Sequence, residues 1–399
     1  MLPKALTQNA IHLLQQCATE NGFLASPKQV DNYQRIWSRD SAMAGIAGLL
    51  HQNKPLIKAW IDSVRSLGEN QSEWGQIPSN LAFNQNQVHA SYGTLSGKVD
   101  ATTWWIISAS ICSQLPEAHP FAELWKLQID KAFKLLKAWQ FNGRGLLYTP
   151  LGGNWADEYV YSGYLLYDQA LYYWALRSAG QAFNQPVYLK EAEALKELIE
   201  ANFNPKNESD NKYHPIAFNR VDKSQTYWFS GFAPNAYQTR WDMPANALAL
   251  LLNLNTQSES ITQYLESLKT QLGHSYLPVF WPPILEQDAD WALLASNHLY
   301  AFKNQAGYFH NGGSWPVFLG WLCLALAVAN ETNWSAHLHQ SLYQALANES
   351  EALHFPEYFN LINLGPGGVN PLAFTASGWL LADRAQTLET PYDLKILLF

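Results

Sequence analysis

Charge is scarce in this chain, and so are the devices that most often announce a function. Only 15% of the 399 residues are Asp, Glu, Lys or Arg, and 25 basic residues face 33 acidic ones, for a formal charge of −8. The Lys and Arg are scattered. That leaves no basic stripe of the kind nucleic acid or an anionic membrane requires. The three cysteines, Cys17, Cys112 and Cys323, are odd in number, far apart and set in apolar helical surroundings. They read as buried free thiols rather than a disulfide frame. No run of about 18 uncharged apolar residues points to a membrane span. The opening Met-Leu-Pro-Lys-Ala-Leu-Thr-Gln lacks the apolar stretch of a signal peptide, so a cytoplasmic setting is expected. No Pro-, Ser- or Gly-rich tract and no charge block marks a linker, so a single domain over 1–399 is expected. Metal and cofactor signatures are missing as well: there is no His-Glu-x-x-His, no paired-cysteine spacing and no phosphate-binding glycine loop. Ser314 lacks the Gly-x-Ser-x-Gly elbow. Neither a metal nor a cofactor is implied.

What the chain does have is tryptophan. There are 17, in a composition that is 48% hydrophobic and 14% aromatic. Many must simply fill a large core. Core filling accounts less well for tryptophans and other aromatics set among Gly, Asn, Asp and Pro. Five segments have that character: Ile36-Trp-Ser-Arg-Asp40, Lys98-Val-Asp-Ala-Thr-Thr-Trp-Trp105, Gly152-Gly-Asn-Trp-Ala-Asp-Glu-Tyr159, His310-Asn-Gly-Gly-Ser-Trp-Pro316 and Phe355-Pro-Glu-Tyr-Phe359. Sugars make two demands at once. Their C–H faces stack on aromatic rings, and their hydroxyls and glycosidic oxygen need carboxylates, amides and guanidinium groups. A chain that offers both together, repeatedly, reads as a carbohydrate-active enzyme acting on a small sugar substrate.

Helical periodicity dominates the rest. The spacing predicts helices over about 5–20, 40–52, 54–68, 100–114, 119–139, 163–181, 187–203, 243–254, 258–272, 287–302, 313–329, 334–348 and 371–386. Strand signals are few, near Tyr227–Phe232 and Tyr276–Trp281. A dozen helices in antiparallel pairs predict an all-α (α/α)6 barrel, six inner helices around a funnel and six outside, with a few short strands in loops. An open solenoid is the alternative, but no fixed 30–45-residue repeat supports it. The five unusual segments fall between helices or at helix starts, so one rim of such a barrel would gather them.

Glycoside hydrolysis normally needs two carboxyl groups, one to protonate the leaving oxygen and one to activate water or attack the anomeric carbon. Asp157 is the candidate acid. Trp155, Tyr159 and Tyr161 are positioned to desolvate it and raise its pKa. It reads equally as a helix cap or half of a solvated Asp157–Glu158 pair, and Glu158 competes for the same role. Glu357 is the candidate base, held in Glu351–Asn360 between Pro356 and two aromatics and followed by a glycine-rich loop. A partly buried glutamate bonded to nearby amides is the bland alternative. Arg39 and Asp40 beside Trp37 form a sugar clamp or a helix cap, and Asp100 either binds a hydroxyl or caps the helix it begins.

With these residues in hand, the chain resembles the neutral/alkaline invertases of glycoside hydrolase family 100. More loosely it resembles the six-hairpin glycosidases that include glucoamylases and debranching glucosidases. The resemblance spans roughly residues 30–380. Its most specific piece is Phe309-His-Asn-Gly-Gly-Ser-Trp-Pro316, and Ile36–Asp40, Val99–Ile107, Trp155–Tyr159 with Gln169–Arg177, and Pro356–Phe359 are similar to further family segments. The resemblance implies Asp157 as general acid and Glu357 as general base of an inverting α-glucoside hydrolase. It implies Arg39, Asp40, Asp100 and His310 as glucose ligands. Trp37, Trp155 and Trp315 read from their setting as apolar walls, and Glu158 and Tyr358 as further substrate-binding candidates. Sucrose is the implied substrate. An amylo-1,6-glucosidase-like or oligosaccharide α-glucosidase activity is the alternative. The chain departs from the family pattern just after the acid. Where the family has Asp-Arg-Arg, this sequence has Asp157-Glu158-Tyr159, a change that bears on the aglycone. Two other classes remain in view: an (α/α)6 sugar epimerase, which would need histidines around the ring, and a sugar-binding protein without catalysis.

Overall fold

In the computed structural model, residues 3–84, 87–347, 353–388, 394 and 397 are described. Residue 348, at the end of one expected helix, and Glu351, in the segment before Glu357, lie outside them. Fourteen α-helices run through the described residues: α1 Pro3–Cys17, α2 Ser38–Leu50, α3 Lys54–Glu69, α4 Val99–Cys112, α5 Ala122–Ala138, α6 Leu166–Ala182, α7 Pro186–Phe203, α8 Pro215–Arg220, α9 Met243–Leu251, α10 Ser258–Leu272, α11 Trp291–Ser296, α12 Pro316–Val328, α13 Thr332–Leu346 and α14 Ala373–Ala385.

Packing sorts them into two rings. α2 packs on α4, α4 on α6, α6 on α9, α9 on α12 and α12 on α14, and α14 returns to α2 to close the circle. α3 backs α2, α5 backs α4, α7 backs α6 and α13 backs α12, while α1 covers α14 from outside. This is the six-hairpin (α/α)6 barrel. The sequence distinguishes the two rings. An inner helix is covered on all sides, so it is apolar all round: every residue of α4 is buried, including Trp104, Trp105 and the hydroxyls of Thr102 and Thr103. An outer helix has a wet face. In α3 the apolar Leu56, Ala59, Trp60, Val64 and Leu67 recur at three- and four-residue steps, and Asn53 caps the start by accepting from the Leu56 N–H at 3.3 Å. The closest inner crossing is α12 on α14, where Gly320 and Gly378 meet so tightly that a methyl on either would overlap the other helix's backbone.

Differences from the expected elements have local causes. The helix expected over 287–302 shrinks to α11, because Asn297 and Asn304 turn their amides onto the main-chain carbonyls of residues 157, 158 and 159 instead of continuing a helix. α8 was not expected. The longest strands, Asn80–Asn84 and Gln87–Ser91, form a hairpin that pairs with Ile36–Trp37, and they too were not expected. The Gln87–Ser91 strand is wet along almost its whole length, so it carries no apolar alternation to betray it. The strands expected near 227–232 and 276–281 are two-residue pieces, Gly231–Phe232 and Phe280–Trp281. No helix among the described residues is long and apolar enough to cross a membrane. All three cysteines are free and buried.

Candidate active site

The starts of five inner helices, with the segments leading into them, line one cavity of about 460 Å³. That falls in the ordinary range for a small-molecule site, about 300–1,000 Å³. Its wall comes from residues 31–40 ahead of and into α2, 79–98 ahead of α4, 155–158 ahead of α6, 299–315 ahead of α12 and 357–374 ahead of and into α14.

Asp157 stands on a loop fixed from several sides. Thr149 and Asn154 donate to the buried Asp168 carboxylate of α6 at 2.9 and 3.0 Å. Asn297 donates to the Asp157 and Tyr159 carbonyls, and Asn304 to that of Glu158. The carboxyl itself meets Lys98, whose Nζ lies 3.1 Å from Oδ2 and also donates to the Gly152 and Asn154 carbonyls. Its side chain is 45% exposed into the cavity. Burial within the protein works against ionisation. The positive charge of Lys98 above all, with that of Arg39 beyond it, outweighs it and holds the carboxyl below its ordinary range. The expected upward shift is therefore reversed in the unliganded protein. Tyr159 and Tyr161 do not wall the acid at all. Tyr159 stacks on Phe280 at 4.3 Å and Tyr161 meets the same ring edge-on, both in the core.

Glu357 has the opposite surroundings. It is 6% exposed, directly before a short strand. Tyr33 donates its hydroxyl to Oε1 at 2.8 Å and the Val369 N–H reaches Oε2 at 3.2 Å. Gly368, with φ +73°, lies against the carboxylate so closely that a Cβ there would overlap it. Burial pushes this carboxyl up to about 7, against the two hydrogen bonds. Each carboxylate oxygen has two lone pairs, so acceptor capacity remains for a water.

Three of the polar groups expected to hold a sugar, Arg39, Asp40 and His310, line the same cavity. Arg39 donates to the fully buried Asp100 at 2.9 Å. Asp40, third in α2 rather than its cap, is pushed up to about 6 by burial against the pull of Arg39. His310 stacks on Trp315 at 5.5 Å and meets Trp155 edge-on at 5.2 Å. Burial drives its pKa down to about 3, leaving a neutral ring whose Nδ1 has no partner within the protein.

Nine of the eleven residues singled out from sequence line this cavity: Trp37, Arg39, Asp40, Trp155, Asp157, Glu158, His310, Trp315 and Glu357. Asp100 and Tyr358 do not. Asp100 is second in α4 and turns inward to hold Arg39, neither capping the helix nor reaching the cavity. Tyr358 begins the two-residue strand directly after Glu357 and stacks on Trp315 at 5.9 Å, outside the cavity lining. Sequence reasoning missed Tyr33, Lys98 and Lys303. Tyr33 and Lys98 sit inside or beside segments already marked as unusual, but their partners lie 324 and 59 residues away. Among the described residues, His310 is the one histidine lining this cavity, where an epimerase would need several around the ring.

A family profile described as alkaline and neutral invertase matches residues 185–384. Among curated proteins the chain is similar to probable alkaline/neutral invertase F of Arabidopsis thaliana, with 23% identity over 75% of this chain and 70% of that protein. It is also similar to cytosolic invertase 1 of Oryza sativa subsp. japonica, with 23% identity over 79% and 64%. The chain thus spans about two thirds of these relatives' length. Among solved structures it resembles a GH63 mannosylglycerate hydrolase from Thermus thermophilus, with a TM-score of 0.61, 11% identity and coverage of 94% and 99%. It also resembles a bacterial glucoamylase complexed with acarbose, with a TM-score of 0.64, 13% identity and coverage of 98% and 57%.

Proposed function

We propose, on the premise that this chain belongs to the alkaline and neutral invertase family of glycoside hydrolases, that it cleaves a terminal α-glucosidic bond with inversion, with sucrose as the leading substrate. The observation that carries the reading is that Asp157 and Glu357, on different loops, line one cavity together with Arg39, Asp40 and His310. In this reading Asp157 protonates the leaving oxygen and Glu357 takes a proton from the attacking water. Arg39, fixed by Asp100, and Asp40 engage the glucose hydroxyls, and neutral His310 offers its unpartnered Nδ1. Trp37, Trp155 and Trp315 supply the apolar walls. The whole chain acts as one catalytic domain in the cytoplasm, without metal or cofactor.

Proton NMR during turnover of sucrose, maltose, isomaltose, kojibiose and trehalose tests this reading. The expected result is β-glucose as the first anomer, from sucrose above the others. First-formed α-glucose would sink inversion. Release from isomaltose alone moves the assignment to a debranching-type 1,6-glucosidase. Binding across the panel with no turnover leaves a sugar-binding protein.

A further inference from the structure

A second hollow of about 120 Å³ adjoins the main cavity, and Lys98, Asp157, Glu158 and Leu299 wall both. The two meet at Asp157, the carboxyl proposed to protonate the leaving oxygen, so a leaving group would depart toward the second hollow. Most of its polar atoms are already occupied. Lys98 is bound to Asp157 and two carbonyls, the Asn297 amide to the Asp157 and Tyr159 carbonyls, and Ser96 Oγ to the Leu151 carbonyl. Two are not. Glu158 Oε2 and His298 Nδ1 are buried and have no hydrogen-bond partner in the protein. Buried polar atoms are nearly always paired, so two orphans on one hollow indicate what a ligand there must supply.

Of the two positions after the acid where family members carry arginine, only one reaches this hollow. Tyr159 is turned into the core, and Glu158 is on the wall. We propose that the hollow is the aglycone subsite, and that Glu158 with His298 selects a neutral, hydroxyl-bearing aglycone over an anionic one. The proposal rests on Asp157 being the acid. A carboxylate accepts hydrogens from hydroxyls and offers nothing to an anion. An anionic aglycone would set its charge against both Asp157 and Glu158. Of the cations around it, Lys98 is committed to Asp157, and Lys303, which acts on Glu158 more strongly, stands over the Phe309 ring at 5.1 Å; burial still holds the Glu158 carboxyl above its ordinary range. Leu95 and Leu299, 85% and 52% exposed at this rim, provide apolar contact for a sugar's C–H face.

The test compares neutral disaccharides, an α-glucosyl glycerate and α-glucosyl fluoride, whose fluoride leaving group leaves the second hollow empty. Wild type should prefer neutral over anionic aglycones at least tenfold in kcat/KM. In Glu158→Gln the ratio of disaccharide to fluoride kcat/KM should fall at least tenfold, with the loss carried in KM. Glu158→Arg should raise the anionic-to-neutral ratio at least tenfold. His298→Leu, an independent replacement on the same hollow, should repeat the KM loss at smaller size. An unchanged ratio in both Glu158→Gln and His298→Leu overturns the subsite, as does a wild-type preference for the anion. A loss carried in kcat assigns Glu158 to proton transfer and overturns it too. Wild type that cleaves the fluoride but no neutral disaccharide also defeats it, whereas failure on every substrate defeats the hydrolase reading beneath it.

Discussion

The two carboxyls proposed as acid and base sit in opposite environments on the wall of one cavity. Asp157 is on an exposed loop, paired with Lys98 and held ionised. Glu357 is sealed under Tyr33 and Gly368, with its pKa pushed up to about 7. The resting protein thus favours a proton on Glu357 and none on Asp157, the reverse of what the proposed roles need at the moment of reaction. Substrate binding has to invert this. A sugar over Asp157 removes its remaining water and raises the cost of its charge, while the attacking water brings Glu357 a partner for its ionised form. The contrast teaches that the resting charge state of a pair does not by itself assign the chemistry, since both assignments of one shared proton give the same macroscopic titration.

Chemistry separates the two roles most sharply. Asp157→Asn and Glu357→Gln should each lower kcat on sucrose by about 10²–10⁴-fold. α-Glucosyl fluoride, whose leaving group needs little protonation, should recover most of the loss in Asp157→Asn and none in Glu357→Gln. Recovery in Glu357→Gln alone would exchange the roles.

A smaller effect concerns stability. The Glu357 carboxyl holds its proton more tightly folded than unfolded, so it stabilises the fold below its unfolded pKa of about 4.5 and loses that contribution as pH rises through about 7. At ~1.4 kcal/mol per pK unit the full swing is about 3 kcal/mol. Urea unfolding should therefore show Glu357→Gln gaining on wild type by about that amount between pH 4.5 and pH 8. A difference that does not change with pH would show that the buried carboxyl is not strained.

On the other wall, Lys98→Met should raise the Asp157 pKa. The productive free enzyme carries the proton on Asp157 and not on Glu357. Its kcat/KM should therefore rise with pH up to the Asp157 pKa, stay level to about 7, and fall above. Removing Lys98 should move the lower limb to higher pH, and an unmoved limb would show that Lys98 only anchors the loop. The smallest change is expected from Tyr33→Phe. Loss of its hydrogen bond raises the Glu357 pKa further, so the upper limb should shift to higher pH by a fraction of a unit and the level part should drop slightly.

Much of this was legible in the chain itself. The inner helices are apolar all round and the outer ones amphipathic, because covered and half-wet surfaces demand different residues, and that contrast already implies two rings. Residues with a chemical signature beside an aromatic, such as Arg39, Asp40, Asp157, His310 and Glu357, stood out from their neighbours alone. The Gln87–Ser91 strand did not, since a strand wet on both faces has no pattern to read. Nor did the place of Tyr358, which stacks on Trp315 outside the cavity lining.

Local order along the chain determined which residue types are on hand at each helix start, because periodicity and turn chemistry act over a few positions. Packing each inner helix on the next, α4 on α6 and α14 on α2, decided what those residues meet. Tyr33 reaches Glu357 across 324 positions and Lys98 reaches Asp157 across 59, and these contacts fix where the protons rest. Electrostatic energy depends on separation in space and on burial, neither of which a linear sequence records.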